Sequence, residues 1–227
     1  MEIIAFGDIH MSTDRLSRIK GLRRADLVIV TGDLTNFGSS VEARRVLTDI
    51  LGYNGKLLCL AGNMDNSSVN DYLDDLGINL HGQAQMVGGR VCVFGVGASN
   101  PTPFNTPWEL SEEQLKHCAD EARRQAKKLM DQTPSLATQK IHSIMVSHAP
   151  PIGTGVDRLR DGRHVGSRAI RRLIEECRPD YCLSGHIHES AGCDCLGTTI
   201  LLNPGMLAGG GWATITLNDN DSTYSLQ

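Results

Sequence analysis

Asp8-Ile9-His10, Gly32-Asp33, Gly62-Asn63-Met64-Asp65, His148 and Gly185-His186-Ile187-His188 are the residues of this chain able to do chemistry. They offer carboxylate, amide and imidazole donors and no thiolate. Any one of these pieces is commonplace. Together they share a position, because each follows a short apolar run: "EIIAF", "LVIV", "LLCL", "SIMV" and "YCLS". In an open α/β sheet the carboxyl ends of the strands line one crevice, where ligands bind. Read as strand ends, the five pieces converge on a single site. In Gly185-His186-Ile187-His188, extended backbone puts both imidazoles on one side.

Oxygen and nitrogen donors without sulfur suit Mn²⁺, Fe or Zn²⁺. Asp8, His10, Asp33, Asn63, His148, His186 and His188 are too many ligands for one tetrahedral zinc. Two ions about 3.5–4 Å apart, sharing one carboxylate, use them all, and that arrangement hydrolyses phosphate esters. Mn²⁺ is the expected ion.

The elements that must position these residues are legible as patterns. Eight Ile-, Val- and Leu-rich runs end at glycine or small polar residues and read as strands. Helical periodicity appears in four segments. "SSVEARRVLTDILG" puts Val46, Leu47, Ile50 and Leu51 on one face, and "SSVNDYLDDLG" does so with Val69, Tyr72, Leu73 and Leu76. The segment from Ser111 opens with a capping box to Gln114. It carries a stripe of Leu115, Cys118, Ala119, Ala122, Ala126 and Leu129. "GSRAIRRLIEECRPD" stops before Pro179. The result is an α/β chain of mixed sheets with helices outside, one domain over residues 1–227. "ASNPTPFNTPWELS" is a long proline-rich loop of the kind that serves a site.

Composition narrows the function. The net charge of −4 and the lack of a long basic run disfavour long nucleic acid as a partner. No apolar stretch approaches the ~20 residues of a membrane span, and the start lacks the basic region of a signal peptide. Seven cysteines, several within apolar runs (Cys59, Cys92, Cys182), fit a reducing, cytoplasmic setting. Cys193 and Cys195 are a close pair without zinc-ribbon partners. The sequence leaves a homo-oligomer open.

Taken in order, the five pieces resemble the metal motifs of the calcineurin-like metallophosphoesterase superfamily: D-x-H, G-D, G-N-H-[DE], H and G-H-x-H. Asn203-Pro204-Gly205 is similar too, and the loops around "SHAPP" and "NPTPF" look like a small prokaryotic cytosolic branch. The resemblance implies an α-β-β-α sandwich of two facing mixed sheets with metals at the strand ends. It implies that Asp8, His10 and His188 hold one ion, that Asn63, His148 and His186 hold the other, and that Asp33 bridges. A bridging hydroxide would attack a phosphate ester, most readily a small phosphodiester.

This chain departs from the pattern at Met64, where the superfamily has a histidine that assists the leaving group. A thioether cannot donate a proton, and loss of a general acid costs about 10²–10⁴-fold on poor leaving groups. The leaving group then needs little help, or another residue substitutes, or the chain is a scaffold that docks a partner with little catalysis. His164, on the polar loop "RDGRHVGS", is the candidate substitute. Asp65 is a candidate carboxylate for orienting a ligand or water. Arg158, Arg160 and Arg163 are candidate phosphate contacts.

Overall fold

Apolar residues run unbroken along the central strands, so each sheet has two faces to bury. The computed structural model describes residues 1–133, 140–219 and 221–227. In chain order the strands and helices are β1 (Glu2–Phe6), β2 (Leu27–Val30), α1 (Ser40–Tyr53), β3 (Leu57–Cys59), α2 (Ser67–Asp75), β4 (Gln83–Val87), β5 (Val91–Val96), α3 (Glu112–Gln132), β6 (His142–Ser147), α4 (Arg168–Cys177), β7 (Tyr181–Ser184), β8 (Gly192–Leu196), β9 (Thr199–Asn203), β10 (Ala213–Leu217) and β11 (Ser222–Leu226). One sheet runs β11-β10-β1-β2-β3 and the other β4-β5-β6-β7-β9-β8. β1, β2 and β3 are parallel, as are β5, β6, β7 and β9. The antiparallel pairings involve β4, β8, β10 and β11.

Three apolar layers hold this together. Ile3, Ala5 and Ile29 of the first sheet meet Val93, Ile144 and Leu183 of the second between the sheets. Ile4, Phe6 and Val28 face α1 and α2 on one outer side. Phe94, Met145 and Cys182 face α3 and α4 on the other. Each Ile, Val, Leu, Phe or Met side chain among them contributes about 1.5–3 kcal/mol on burial. The chain is therefore an α-β-β-α sandwich, and β1, β2, β3, β6 and β7 all end at one edge of the paired sheets.

Local chemistry starts the helices. Ser39 and Glu42 form a capping box on α1, and Ser111 and Gln114 form the expected one on α3. Glu112, at the start of α3, also accepts from the Arg168 and Ala169 amides and so caps α4 beside Ser167. Leu51 and Leu76, expected on buried faces, are exposed. Each lies at the rim of its stripe, close to the helix end, where the opposing sheet no longer covers it. Cys59, Cys92 and Cys182 are buried free thiols, while Cys193 and Cys195 are exposed free thiols on β8.

Candidate metal centre

Asp8, His10, Asp33 and His188 place one ligand atom each within 4.8 Å of one another. Asp8 and His10 follow β1, Asp33 follows β2 and His188 follows β7, so both sheets contribute. His10 Nε2 lies 3.3 Å from His188 Nε2 and 3.8 Å from Asp33 Oδ2, and His188 Nε2 lies 3.4 Å from Asp8 Oδ1. Around the other oxygen of Asp33 stands a second group. His148 Nε2 is 3.3 Å from Asp33 Oδ1 and 2.9 Å from Asn63 Oδ1. The His186 ring lies 5.2 Å from that of His148. The Asp33 carboxylate thus stands between two sets of donors.

Backbone conformation aims these groups. Asp8, His10, Asp33 and His186 all have left-handed φ, between 48° and 67°. For residues other than glycine this is strained geometry, kept where the surroundings over-determine it. It also corrects the extended reading of Gly185-His186-Ile187-His188. His186 is left-handed and His188 opens a 3₁₀ turn, so the rings diverge, His186 toward His148 and His188 toward His10.

Hydrogen bonds decide which atoms face inward. Asn36 turns its NH₂ to the His10 carbonyl and its Oδ1 to His10 Nδ1 (2.9 Å), so Nδ1 donates and the neutral ring has a bare Nε2. His148 Nδ1 donates to the Thr31 carbonyl at 3.0 Å, which bares its Nε2 as well. Asn63 donates its Nδ2 to Thr106 Oγ1 at 2.9 Å, and Thr106 donates to Glu109 at 2.6 Å. That relay turns Asn63 Oδ1 toward His148 Nε2. In the neutral state two acceptors then face each other at 2.9 Å, which only a cation or an added proton reconciles. Asp8 Oδ2, fully buried, has no hydrogen-bond partner in the structure. A cation-shaped need is thus written into both halves of the cluster, and the donors present fit a divalent ion.

Electrostatics agree. Burial works against charge on His148, but the carboxylates of Asp33 and Asp8 outweigh it and lift the ring to about 9. Burial likewise opposes the Asp8 carboxylate, yet the His188 bond and the charges of His148 and His188 hold it at about 2. His186 is pushed down to about 4 by burial and by His148.

Asp65 sits just behind. It is fully buried, and its oxygens accept from the amides of Leu34 (3.1 Å), Thr35 (2.8 Å) and Gly62 (2.9 Å) and from the Thr35 hydroxyl. Its carboxylate ties the Asp33 turn to the Gly62 turn. Burial, then the charge of Asp33, raise its pKa to about 6.

The cluster opens into a cleft of about 1020 Å³ that His10, Asp33, Asn63, Met64, His186 and His188 line together with His164. His164 Nδ1 bonds Asp157 Oδ1 at 2.7 Å. Asp157 is fully buried and also accepts from the amides of Gly153, Thr154 and Gly166. Of the three arginines singled out in sequence, Arg163 lines the cleft, paired with Asp161; Arg160 pairs with Glu189. Arg168 lines it too. Asp157, Thr106, Glu109 and Asn36 escaped the sequence reading, since isolated polar loop residues carry no periodic signal.

Residues 1–190 match the family described as calcineurin-like phosphoesterase. The chain belongs to that family. Among relatives of this calcineurin-like phosphoesterase is protein MJ1162 of Methanocaldococcus jannaschii, 34% identical over 209 residues, 90% of this chain and 88% of the relative. UPF0046 protein K07C11.7 of Caenorhabditis elegans is 22% identical over 89% of this chain and 69% of its own length. The fold is shared with TT1561 of Thermus thermophilus (TM-score 0.67, 16% identity, 99% of this chain and 97% of that one). It is shared also with phosphopantetheinyl hydrolase of Mycobacterium tuberculosis (TM-score 0.53, 13% identity, 90% and 89%). The family is one of metal-dependent phosphoesterases, and the cluster at the strand ends is this member's candidate metal site. Among the described residues no helix is long and apolar enough to cross a membrane.

Proposed function

We propose that this chain hydrolyses small phosphate esters, diesters before monoesters, with two divalent ions, Mn²⁺ foremost. Asp8, His10 and His188 would hold one ion, Asn63, His148 and His186 the other, and Asp33 would stand between them. Bound there, the ions would make water nucleophilic near neutral pH and offset charge on the phosphoryl oxygens. The observation that carries the reading is the 2.9 Å approach of two acceptors, Asn63 Oδ1 and His148 Nε2, beside the Asp33 carboxylate. The size of the cleft supports the preference for diesters, which carry two organic groups.

The chain's own residues divide the remaining work. Asp65 and Gly62 hold the Asp33 turn in place, and Thr106 and Glu109 orient the Asn63 amide. His164 is assigned the proton that Met64 cannot give. In its doubly protonated form, with Nδ1–H on Asp157, the ring gives the Nε2 proton to the ester oxygen as the P–O bond breaks and its electron pair moves to that oxygen.

The test is hydrolysis of bis-p-nitrophenyl phosphate and p-nitrophenyl phosphate by metal-stripped protein titrated with Mn²⁺. Turnover that needs the metal and is lost in Asp33→Asn is expected. Two ions bound without turnover would sink the hydrolytic reading. It would favour the scaffold that Met64 alone suggests.

A further inference from the structure

Only four phenylalanines occur in this chain. Phe6 and Phe94 are buried, at 0% and 2% exposure, whereas Phe37 and Phe104 are exposed at 60% and 78%. Both exposed rings line the cleft that holds the candidate metal cluster. Exposed aromatic surface is costly to leave in water, and scattered single residues would need no explanation. Two on one cleft, in a chain so poor in aromatics, do.

The backbone is hydrogen-bonded at both positions. Phe37 has a left-handed φ of 58°, unusual for a bulky residue, and its amide donates to the Met64 carbonyl at 2.8 Å. Phe104 projects from the proline-rich loop. Its amide donates to Thr102 Oγ1 (3.1 Å), which donates to Glu109 (2.6 Å), the carboxylate that also receives Thr106. The brace that orients Asn63 therefore also holds out Phe104. Met64, Leu159, Val165 and Ile187 add apolar side chains to the lining of the same cleft.

A phosphoryl group fills only a small part of 1020 Å³, a volume at the upper end for sites that enclose a whole organic ligand. We infer that the cleft binds a phosphate ester bearing a large apolar organic group, seated against Phe37 and Phe104 while its phosphorus lies at the metal cluster. The inference rests on the hydrolytic reading above and adds the class of substrate. Met64 then gains a positive role. Where a histidine would add a polar ring to the cleft lining, the thioether adds apolar surface.

Two diesters with one leaving group separate recognition from chemistry: methyl p-nitrophenyl phosphate and 2-naphthylmethyl p-nitrophenyl phosphate. The Mn²⁺-loaded protein is expected to show a KM about tenfold or more lower for the naphthylmethyl ester, with similar kcat. In Phe104→Ala and Phe37→Ala the ratio should fall toward one. Calorimetric titration with 2-naphthylmethylphosphonate, which needs no turnover, should show binding that weakens in the same variants. Equal KM values for the two esters, or a ratio untouched in Phe104→Ala, would overturn the inference. So would a dimer in sedimentation that Phe104→Ala dissolves while the ratio stays, since the rings would then serve a second copy of the chain. If neither ester is hydrolysed, the hydrolytic reading fails, and the phosphonate titration still decides whether the cleft takes an apolar phosphorus ligand.

Discussion

Gly62 has no room for a side chain. A Cβ there would stand 2.1 Å from Asp33 Oδ1 and 2.7 Å from His148 Cε1. Gly62→Ala must therefore push the carboxylate assigned to both ions. A displacement near 1 Å costs about 10²-fold in rate, so kcat should fall by about that much and calorimetry should register fewer than two Mn²⁺ per chain. Full turnover in this variant would mean that Asp33 does not act from its present position. The proton donor is a second matter at this scale. His164→Ala should slow alkyl esters by about 10²–10⁴-fold and p-nitrophenyl esters far less. Asp157→Asn should follow the same pattern, because it frees the ring that Asp157 holds, and added imidazole should restore part of the His164→Ala activity. Equal loss on both classes of ester would remove His164 from the chemistry.

At the scale of elements, the loop between β5 and α3 serves the site through Glu109. Burial opposes its charge, but bonds from Thr102 and Thr106 prevail and hold it at about 2, below the usual 4.5. A depressed carboxylate adds stability above its unfolded pKa and loses it as pH falls. Wild type should thus exceed Glu109→Gln in urea midpoint at pH 7. The gap should hold down to about pH 4.5 and close as the pH falls toward 2. A gap that does not change with pH would show that the charge contributes nothing to the brace. The same variant should weaken Mn²⁺ binding, because Thr106 then turns Asn63 less firmly. Edge strands follow a different logic. β4, β8 and β11 each close a sheet edge, and their partly open faces carry Gln83, Gln85, Asp194 and Thr223 rather than long apolar runs.

For the whole molecule, the metal cluster joins the two sheets, since Asp8 and Asp33 come from one and His148, His186 and His188 from the other. An ion that binds the folded chain alone stabilises it by mass action, about 2.7 kcal/mol at a hundredfold excess over Kd. For a chain of this size that is about 5–10 °C in Tm. Calorimetric melting of metal-stripped protein should rise by that amount with Mn²⁺, and Asp33→Asn should abolish the rise. A Tm insensitive to Mn²⁺ would argue that the cluster does not bind metal between the sheets.

Much of this was determined by sequence alone. Runs buried on both faces, such as Leu27–Val30, show as unbroken apolar stretches, and helix stripes and the Ser111 capping box show by spacing. The sequence also marked the metal-ligand types, because each stands at the abrupt end of an apolar run. Of the four edge strands, β3 was legible as an apolar run but β4, β8 and β11 were not: a strand paired on one side and wetted on a face needs no apolar signature. Nor was the divergence of His186 and His188, which depends on left-handed backbone that the packed strand ends impose. Asp157 under His164, Glu109 and Thr106 behind Asn63, and Phe37 facing the same cleft as Phe104 come from distant parts of the chain. Such pairings are set by how the two sheets close on each other. Residue type and local spacing encode which groups face water and which ends stop a strand, and only tertiary packing decides which of those ends meet.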